Sequence, residues 1–231
     1  MNLNRVRVVA LALTLSLSRV PVAVANDNVV SHDQDYDYNP PAPGSYTLPV
    51  IKIAPDGAII DSNSKSLNLS ELTHGRITVL SFIYTRCAAP KACPYAAGVL
   101  SQLHALSAHD KALATNMRLV SLSFDPDYDT PQRLGVYSDA MIDEQSGCEW
   151  RFATTKSNVA LESILKGYGQ AVDKRSNVND PQGPLYHILR VFLIDREGRI
   201  RNIYSSATLD PRLVLADVKT LLLEEAKLSK R

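Results

Sequence analysis

The sequence has little net charge, few aromatic side chains and no apolar run as long as a membrane-spanning helix. Its formal charge is +1, and aromatic residues make up 6% of the 231 residues. Nucleic-acid-binding proteins concentrate Lys and Arg on one face or present aromatic platforms, and neither pattern stands out here. With 45% apolar and 21% charged residues, the composition is ordinarily globular. We therefore predict a folded protein with no nucleic-acid partner, and the sequence contains no internal repeat.

The first apolar run, residues 8–17, is too short to cross a membrane, which takes about 20 residues. Arg5 and Arg7 precede this run, and the small residues Ala23-Val24-Ala25 follow it. This order is typical of a cleavable signal peptide over residues 1–25. No cysteine follows the leader, so no lipid-modified amino terminus is expected. We predict that the chain is exported, and an uncleaved leader that anchors it in the membrane is the alternative.

Residues 26–45 are polar and acidic and end in a proline-rich stretch. Such a segment cannot bury enough apolar surface to order itself, so we interpret it as a flexible tether. Asp33, Asp35 and Asp37 alternate as in a calcium-binding loop, but the glycine and the final glutamate of that loop are missing. A solvated acidic tail is the better interpretation, and residues 46–231 form the predicted folded domain.

The folded domain alternates between strand-like apolar runs and segments with helix-start signals. We predict strands over residues 77–84, 118–124 and 149–153, and helices over residues 93–109, 130–141 and 157–167. Residues 70–72 suggest a short helical turn, residues 169–184 a loop, and Asp210-Pro211 the start of a last helix.

Two hairpins complete the predicted fold. Residues 46–53 and 58–60 flank Asp56-Gly57 and predict an amino-terminal β-hairpin, while residues 188–195 and 199–204 predict a second one. A β-α-β unit followed by a hairpin and a closing helix is typical of an α/β thioredoxin-like fold, with a central mixed sheet flanked by helices.

Cysteine is scarce, with three residues in the chain, and two of these bracket the start of the helix predicted at residue 93. Backbone N–H groups at a helix start favour the thiolate form of a nearby cysteine, and Pro94 fits the first helical turn. Six positions within one helix would separate Cys87 from Cys93 by about 9 Å along the axis, whereas a disulfide needs Cα atoms within about 7 Å. Cys87 must therefore lie in a loop, stiffened by Pro90, that folds back over the helix start.

A static structural disulfide between Cys87 and Cys93 remains an alternative outside the cytoplasm, although so small a loop gives it little entropic stabilisation. We predict instead that this pair forms a reversible disulfide. Cys148 is expected to pack as a small apolar residue and to remain a free thiol.

Among the five histidines, His187 is the candidate for a site, because it directly precedes the apolar run at residues 188–194. In a thioredoxin-like fold, the loop before this strand lies against the cysteine turn. Two thiolates and an imidazole form a set suited to copper, either Cu(I) or Cu(II), whereas zinc usually takes four ligands. An ordinary residue at a strand start is the alternative that the spacing leaves open. We expect His104 and His109 on the helix surface.

Three motifs in this order resemble those of the Sco/SenC family. The first is Phe82-Ile-Tyr-Thr-Arg-Cys87 followed by Cys93-Pro94, and the second is the stretch from Ser123 to Pro131, SFDPDYDTP. The third is His187 eight residues before Asp195, with Gly198 beyond. The resemblance covers roughly residues 46–226.

This resemblance implies a periplasmic metallochaperone that binds copper through Cys87, Cys93 and His187. It implies Asp125 and Asp129 as supporting positions. The protein would assist assembly of the dinuclear copper centre of cytochrome c oxidase. Its expected partner is a copper-receiving protein such as cytochrome c oxidase subunit II, or another periplasmic copper or thiol-redox protein.

Two features depart from the family pattern. Five residues separate the cysteines where the family has three, and His187 lies between Tyr186 and Ile188 where the family usually has aspartate before and serine or threonine after. The longer loop changes the separation of the two sulfurs, and the missing aspartate removes a carboxylate that could contact the histidine.

A thiol–disulfide oxidoreductase that acts on cysteines of a periplasmic partner is the competing function. Such a reductase needs no histidine in this loop and normally has proline next to the strand there, so His187 favours copper. A peroxiredoxin-like peroxidase would require proline in the motif P-x-x-x-[TS]-x-x-C, and residues 80–87 contain none. We therefore favour copper binding over both redox functions.

Overall fold

The computed structural model describes residues 38–142 and 147–228. The predicted signal peptide and the first part of the predicted tether lie outside these ranges. Within them the strands are β1 (Lys52–Ile53), β2 (Ala58–Asp61), β3 (Ser66–Asn68), β4 (Ile77–Ile83), β5 (Met117–Ser123), β6 (Glu149–Thr154), β7 (Val172–Lys174), β8 (Leu185–His187), β9 (Val191–Ile194) and β10 (Arg199–Tyr204). The helices are α1 (Ser70–Thr73), α2 (Cys93–Ala108), α3 (Lys111–Asn116), α4 (Pro131–Met141), α5 (Asn158–Tyr168) and α6 (Pro211–Leu228).

A mixed sheet in the order β1-β10-β9-β4-β5-β6-β2-β3 forms the centre of the domain. The pairs β4–β5 and β5–β6 are parallel, and the other neighbours are antiparallel. Every residue of β4 is buried, as expected for a central strand of a sheet covered on both faces. The strand–loop–helix unit that carries both cysteines therefore starts from a fully buried strand at the centre of the sheet.

Helices flank this sheet, as the sequence predicted. Tyr168 of α5 packs edge-on against Phe82 of β4 and Phe192 of β9, with ring centroids 5.2 Å and 5.0 Å away. Local signals set the helix starts, because Thr130 and Ser157 accept hydrogen bonds from backbone N–H groups in the first turns of α4 and α5. None of the helices within the two described ranges combines the length and the apolar character that a membrane span requires.

The amino-terminal hairpin predicted from residues 46–53 and 58–60 is wrong in its pairing. Lys52 of β1 pairs with Ile200 of β10, whereas β2 pairs with β3 and β6, so the two segments lie at opposite sides of the sheet. Asp56 does not close a two-residue turn, because its carboxylate accepts hydrogen bonds from the Ser70 N–H and hydroxyl at the start of α1. An amino-terminal hairpin does exist, but β2 and β3 form it.

The loop predicted over residues 169–184 also needs correction, because it contains β7. This short strand pairs with β8 in a two-stranded ribbon separate from the main sheet, and Val172 lies opposite His187. The ribbon was missed because its strands are three residues long and β7 has little apolar character. Its position matters because it carries the candidate histidine.

The last residues of the predicted tether contact α6. Gly44 donates its N–H to the Thr220 hydroxyl at 2.9 Å, and Arg212 donates to the Tyr38 carbonyl at 3.4 Å. The boundary at residue 45 between tether and domain stays a prediction.

Candidate functional site

The cysteine loop connects the end of β4 to the first turn of α2. Cys93 is the first residue of α2, and Pro94 follows it, where the missing N–H costs no intrahelical hydrogen bond. The loop is ordered by its own backbone, since the Cys87 N–H donates to the Tyr84 carbonyl at 3.1 Å and the Ala92 N–H to the Ala89 carbonyl at 3.0 Å. The five residues between the cysteines therefore form a structured turn over the helix start.

The β7–β8 ribbon brings His187 to this turn. The imidazole Nε2 lies 3.3 Å from Cys93 Sγ, and the ligand atoms of Cys87, Cys93 and His187 all lie within 4.8 Å of one another. Cys93 and His187 are buried, whereas Cys87 is half-buried. The structure thus brings together the three side chains that the sequence selected; their role as metal ligands stays a prediction.

The two thiols have opposite electrostatic environments. A hydrogen bond from Cys93 lowers the pKa of Cys87 to about 4, outweighing burial, and His187 and the backbone N–H groups of Cys93 and Ala89 lower it further. The same hydrogen bond, together with burial, raises the pKa of Cys93 well above its ordinary value. At neutral pH the site therefore holds a Cys87 thiolate beside a protonated Cys93. All three cysteines are free in the structure, so the reversible disulfide stays a prediction.

His187 is oriented by packing as much as by hydrogen bonding. Its ring lies 4.7 Å from the Phe124 ring and 6.3 Å from the Tyr84 ring, measured between centroids. Within residues 38–142 and 147–228, its buried Nδ1 has no hydrogen-bond partner. The residue before it is Tyr186, so no carboxylate directly precedes the ring.

Tyr84 joins the cysteine loop to the ribbon. Its hydroxyl lies 3.1 Å from the Gln182 carbonyl and 3.0 Å from the Leu185 carbonyl. The Ala88 N–H, one residue after Cys87, donates to the same Gln182 carbonyl at 3.2 Å. Burial and the negative charge of Cys87 raise the pKa of Tyr84, so the phenol remains a neutral donor.

Asp125 and Asp129 lie behind the cysteine loop and outside the group of three. Asp129 accepts hydrogen bonds from the Thr85 N–H at 3.0 Å, from the Thr85 hydroxyl, and from the Ser123 hydroxyl at 2.5 Å. Burial raises the pKa of Asp129 in spite of these bonds. Asp125 pairs with Arg86 at 2.6 Å. Both carboxylates therefore hold the two residues that precede Cys87.

A groove of about 440 Å³ opens beside the site. Cys87 and His187 line it, together with residues of the cysteine loop and of the ribbon, among them Pro90, Lys91 and Tyr186. A partner molecule could thus approach Cys87 and His187 while Cys93 stays buried.

The other histidines and Cys148 lie elsewhere. The prediction that His104 is on the helix surface was wrong: it is 6% exposed, and its ring lies 6.0 Å from that of Trp150. The face of α2 that carries His104 is covered by the segment around Gly147. His109 is exposed, as expected. Cys148 is buried, as expected, and burial raises its pKa.

Sequence reasoning missed Tyr84 and Gly183 as functional candidates. Gly183 has a φ of +98°, and a Cβ there would lie 2.4 Å from the Tyr84 hydroxyl oxygen. A glycine between the prolines at 181 and 184 was the available signal, because glycine in such a turn often marks a positive φ.

The model of the SCO1/SenC family matches residues 53–223 of this chain. Similar solved structures include a SCO1/SenC family lipoprotein from Bacillus anthracis, with 24% identity over 74% of this chain and 95% of that one and a TM-score of 0.61. Another is ScoI of Bradyrhizobium japonicum with copper bound, with 22% identity over 73% and 99% and a TM-score of 0.59. A third is BsSco, described as a member of the Sco family of cytochrome c oxidase assembly proteins, with 20% identity over 76% and 98% and a TM-score of 0.56. Among curated proteins no relative matches the chain.

The likeness to these structures confirms the predicted thioredoxin-like α/β fold. The family match spans well over half of the chain and includes both cysteines, the two aspartates and His187. By this match, and as its three motifs predicted, the chain belongs to the SCO1/SenC family.

Proposed function

We propose that this protein binds a copper ion as cargo through Cys87, Cys93 and His187 and delivers it to a copper centre of a partner protein. One observation carries the proposal: two sulfurs and one imidazole nitrogen lie within 4.8 Å of one another. Thiolates favour Cu(I), and imidazole suits copper in either oxidation state. Such a set can hold copper in both states, as a protein that loads a redox-active centre requires.

The chemistry of the donors fits this cargo. Cys87 is already a thiolate at neutral pH, because Cys93 donates a hydrogen bond to it. Cys93 must lose its proton to become a second sulfur ligand, so copper binding should release a proton. Cys87 is the less buried member of the pair and lines the groove, so it is the cysteine that a receiving protein can reach first.

The proposed target is the copper centre of cytochrome c oxidase, with subunit II as the receiving protein. Support comes from BsSco, described as belonging to a family of cytochrome c oxidase assembly proteins, and from the copper bound to the Bradyrhizobium protein. Another periplasmic copper or thiol-redox protein is the alternative partner. We propose the periplasm as the location, on the basis of the predicted signal peptide.

The unequal acidities of the cysteines favour a second candidate function, thiol–disulfide exchange with a periplasmic partner. The Cys87 thiolate would attack a partner disulfide, forming a mixed disulfide and releasing one partner thiolate. Cys93, after losing its proton, would attack Cys87 in turn and release the second partner thiolate. The partner is reduced, and Cys87 and Cys93 are oxidised to a disulfide.

Replacing His187 separates the two functions. In anaerobic titrations of the reduced full chain with Cu(I) and Cu(II), we expect His187→Ala to weaken Cu(II) binding by more than about tenfold. We also expect it to abolish the sulfur-to-copper charge-transfer absorption. The same variant should cycle between dithiol and disulfide almost as wild type does, since thiolate attack needs no third ligand.

Two control variants accompany the His187→Ala titrations. His109→Ala changes an exposed histidine at the end of α2 and should bind copper as wild type does, whereas Cys93→Ser should abolish both copper binding and disulfide cycling. If His187→Ala binds both copper ions as tightly as wild type, the metal function is wrong and the oxidoreductase becomes the better account.

A further inference from the structure

We propose that Tyr84 and Gly183 are positioning residues that hold the β7–β8 ribbon on the cysteine loop and thereby set where His187 stands relative to Cys93. This inference rests on the proposed function, since it concerns the geometry of the same site. It adds two residues that are not metal ligands and that act on the backbone of residues 182–185, although Tyr84 also hydrogen-bonds to Cys87.

Tyr84 supplies the hydrogen bond between the two segments. It lies directly after β4 and is 1% exposed, so its phenol is fixed to the central strand of the sheet. Its hydroxyl is within 3.1 Å of two ribbon carbonyls, those of Gln182 and Leu185. The two carbonyls keep the Ala88 N–H and the Arg175 side chain as donors, but removal of the hydroxyl takes away their hydrogen bonds to the residue after β4, which should loosen the ribbon from the loop.

Gly183 makes this close approach sterically feasible. Its φ of +98° is a conformation that residues with a side chain rarely adopt, and a Cβ would lie 2.4 Å from Tyr84 Oη and 2.6 Å from the Arg86 carbonyl oxygen. Any side chain here would push the ribbon away from Tyr84 and Arg86, which precede Cys87 in the chain. The Ala88 N–H to Gln182 carbonyl bond, at 3.2 Å, would be strained by the same displacement.

His187 is sensitive to this displacement for two reasons. The ribbon forms its own two-stranded sheet, and among residues 38–142 and 147–228 no hydrogen-bonded ladder joins it to the main sheet. The imidazole contacts Cys93 through Nε2, while its Nδ1 has no hydrogen-bond partner in the described part of the chain. Ring packing on Phe124 and Tyr84, the pairing of β8 with β7, and the bond from Gln170 to the Ile188 carbonyl at 2.7 Å are further restraints nearby. The location of the ring therefore follows the location of the ribbon.

The test compares Gly183→Ala with Gly75→Ala. Gly75 also has a left-handed φ, +79°, but a Cβ there meets nothing within 4 Å, so both variants carry backbone strain and Gly183→Ala alone meets Tyr84. We expect Gly183→Ala to lower Cu(II) affinity by about tenfold or more and to shift the charge-transfer absorption, with Gly75→Ala matching wild type in both. Tyr84→Phe should also lower Cu(II) affinity, by about tenfold. Its control is Tyr46→Phe, which removes a hydroxyl bonded to Asp217 on α6.

A second measurement needs no metal. Nuclear Overhauser contacts between the rings of His187 and Phe124 should be strong in the reduced, metal-free wild type and in Gly75→Ala, and weak in Gly183→Ala. Wild-type Cu(II) affinity, absorption and ring contacts in Gly183→Ala would overturn the proposal. If circular dichroism shows that Gly183→Ala is unfolded, Tyr84→Phe decides, and unchanged affinity and ring contacts there would overturn it equally. If wild type binds no copper, the proposed function fails, whereas the ring contacts still test the positioning.

Discussion

At the scale of single residues, the site depends on an asymmetry between two cysteines. Cys87 is half-buried and accepts hydrogen bonds at the start of α2, while Cys93 is buried and donates to it. Helix-start N–H groups and a neighbouring donor both favour the thiolate. Cys87 is thus a thiolate that can act as nucleophile or ligand, whereas Cys93 keeps its proton.

This asymmetry predicts an unusual pH dependence for alkylation. Iodoacetamide reacts with the thiolate, and the pKa of Cys87 is lowered to about 4. The rate at Cys87 should therefore change little between pH 8 and pH 5 and fall only as the pH approaches about 4. An ordinary thiol, with a pKa of about 8.5, would lose about tenfold per pH unit below that value. Mass spectrometry after timed quenching gives the rate.

Cys148 is the internal control for that experiment, because it is buried and its pKa is raised; it should stay unmodified in the folded protein. Cys93→Ala removes the side-chain donor that lowers the pKa of Cys87 most, so the rate at Cys87 should begin to fall at a higher pH than in wild type. A tenfold loss per unit between pH 8 and pH 5 in wild type would contradict the assigned thiolate.

At the scale of elements, the β9–β10 hairpin is joined to α6 and to residues before β1 by one buried arginine. Arg201 is 6% exposed and bonds Asp195 at 2.9 Å, the Leu48 carbonyl at 2.9 Å and Glu224 at 2.9 Å. Asp195 also accepts the Arg199 N–H at 2.9 Å, which closes the hairpin turn. These bonds fix the strand that follows the ribbon and its histidine.

Acid should therefore weaken the fold through Asp195. Burial alone would raise the pKa of Asp195, but hydrogen bonds from Arg199 and Arg201 outweigh it and lower the pKa. The folded state then binds this proton less readily than the unfolded state, so the stabilisation is complete above about pH 4 and is lost as the pH falls through the folded-state value. Asp195→Asn should lower the free energy of unfolding at pH 7 by roughly 3 kcal/mol, because Arg201 loses a buried partner.

Urea denaturation at pH 7 and pH 3 measures both effects. The loss of stability between these pH values should be smaller in Asp195→Asn than in wild type. The exposed Asp127 gives the matched control, Asp127→Asn, which should behave as wild type at both pH values. Equal acid sensitivity of wild type and Asp195→Asn would show that other carboxylates carry the effect.

At the scale of the whole molecule, the proposed function requires export, since the expected partners are periplasmic. The leader, residues 1–25, lies outside the described residues, and its interpretation rests on the arginines, the short apolar run and the small residues before Asn26. Without its three arginines, the chain keeps 22 basic and 24 acidic residues, which gives a formal charge of −2.

Cleavage near residue 25 is the corresponding prediction. Intact-mass measurement of the protein from the periplasmic fraction should give a chain that begins near Asn26. Ala25→Phe replaces a small residue at the cleavage position and should retain the leader. A wild-type species that keeps residues 1–25 in the membrane fraction would instead support the uncleaved anchor.

The sequence by itself determined the longer helices, the central strands and the three candidate side chains, because their signals are local. Helix starts at Pro94, Thr130 and Ser157 depend on caps and prolines within one turn, and buried strands show in short apolar runs. His187 could be selected because, in a thioredoxin-like fold, the loop before this strand lies against the cysteine turn.

Only the tertiary structure decided what those residues contact. Asp56-Gly57 has the local signal of a hairpin, but β1 pairs with β10, nearly 150 residues later, since strand partners are chosen by non-local hydrogen bonds and burial. The acidity of Cys87 likewise depends on a hydrogen bond from Cys93 across the turn. The approach of Gly183 to Tyr84 joins segments about 100 positions apart. No local pattern encodes such contacts, because their energies arise only when the folded chain brings the two segments together.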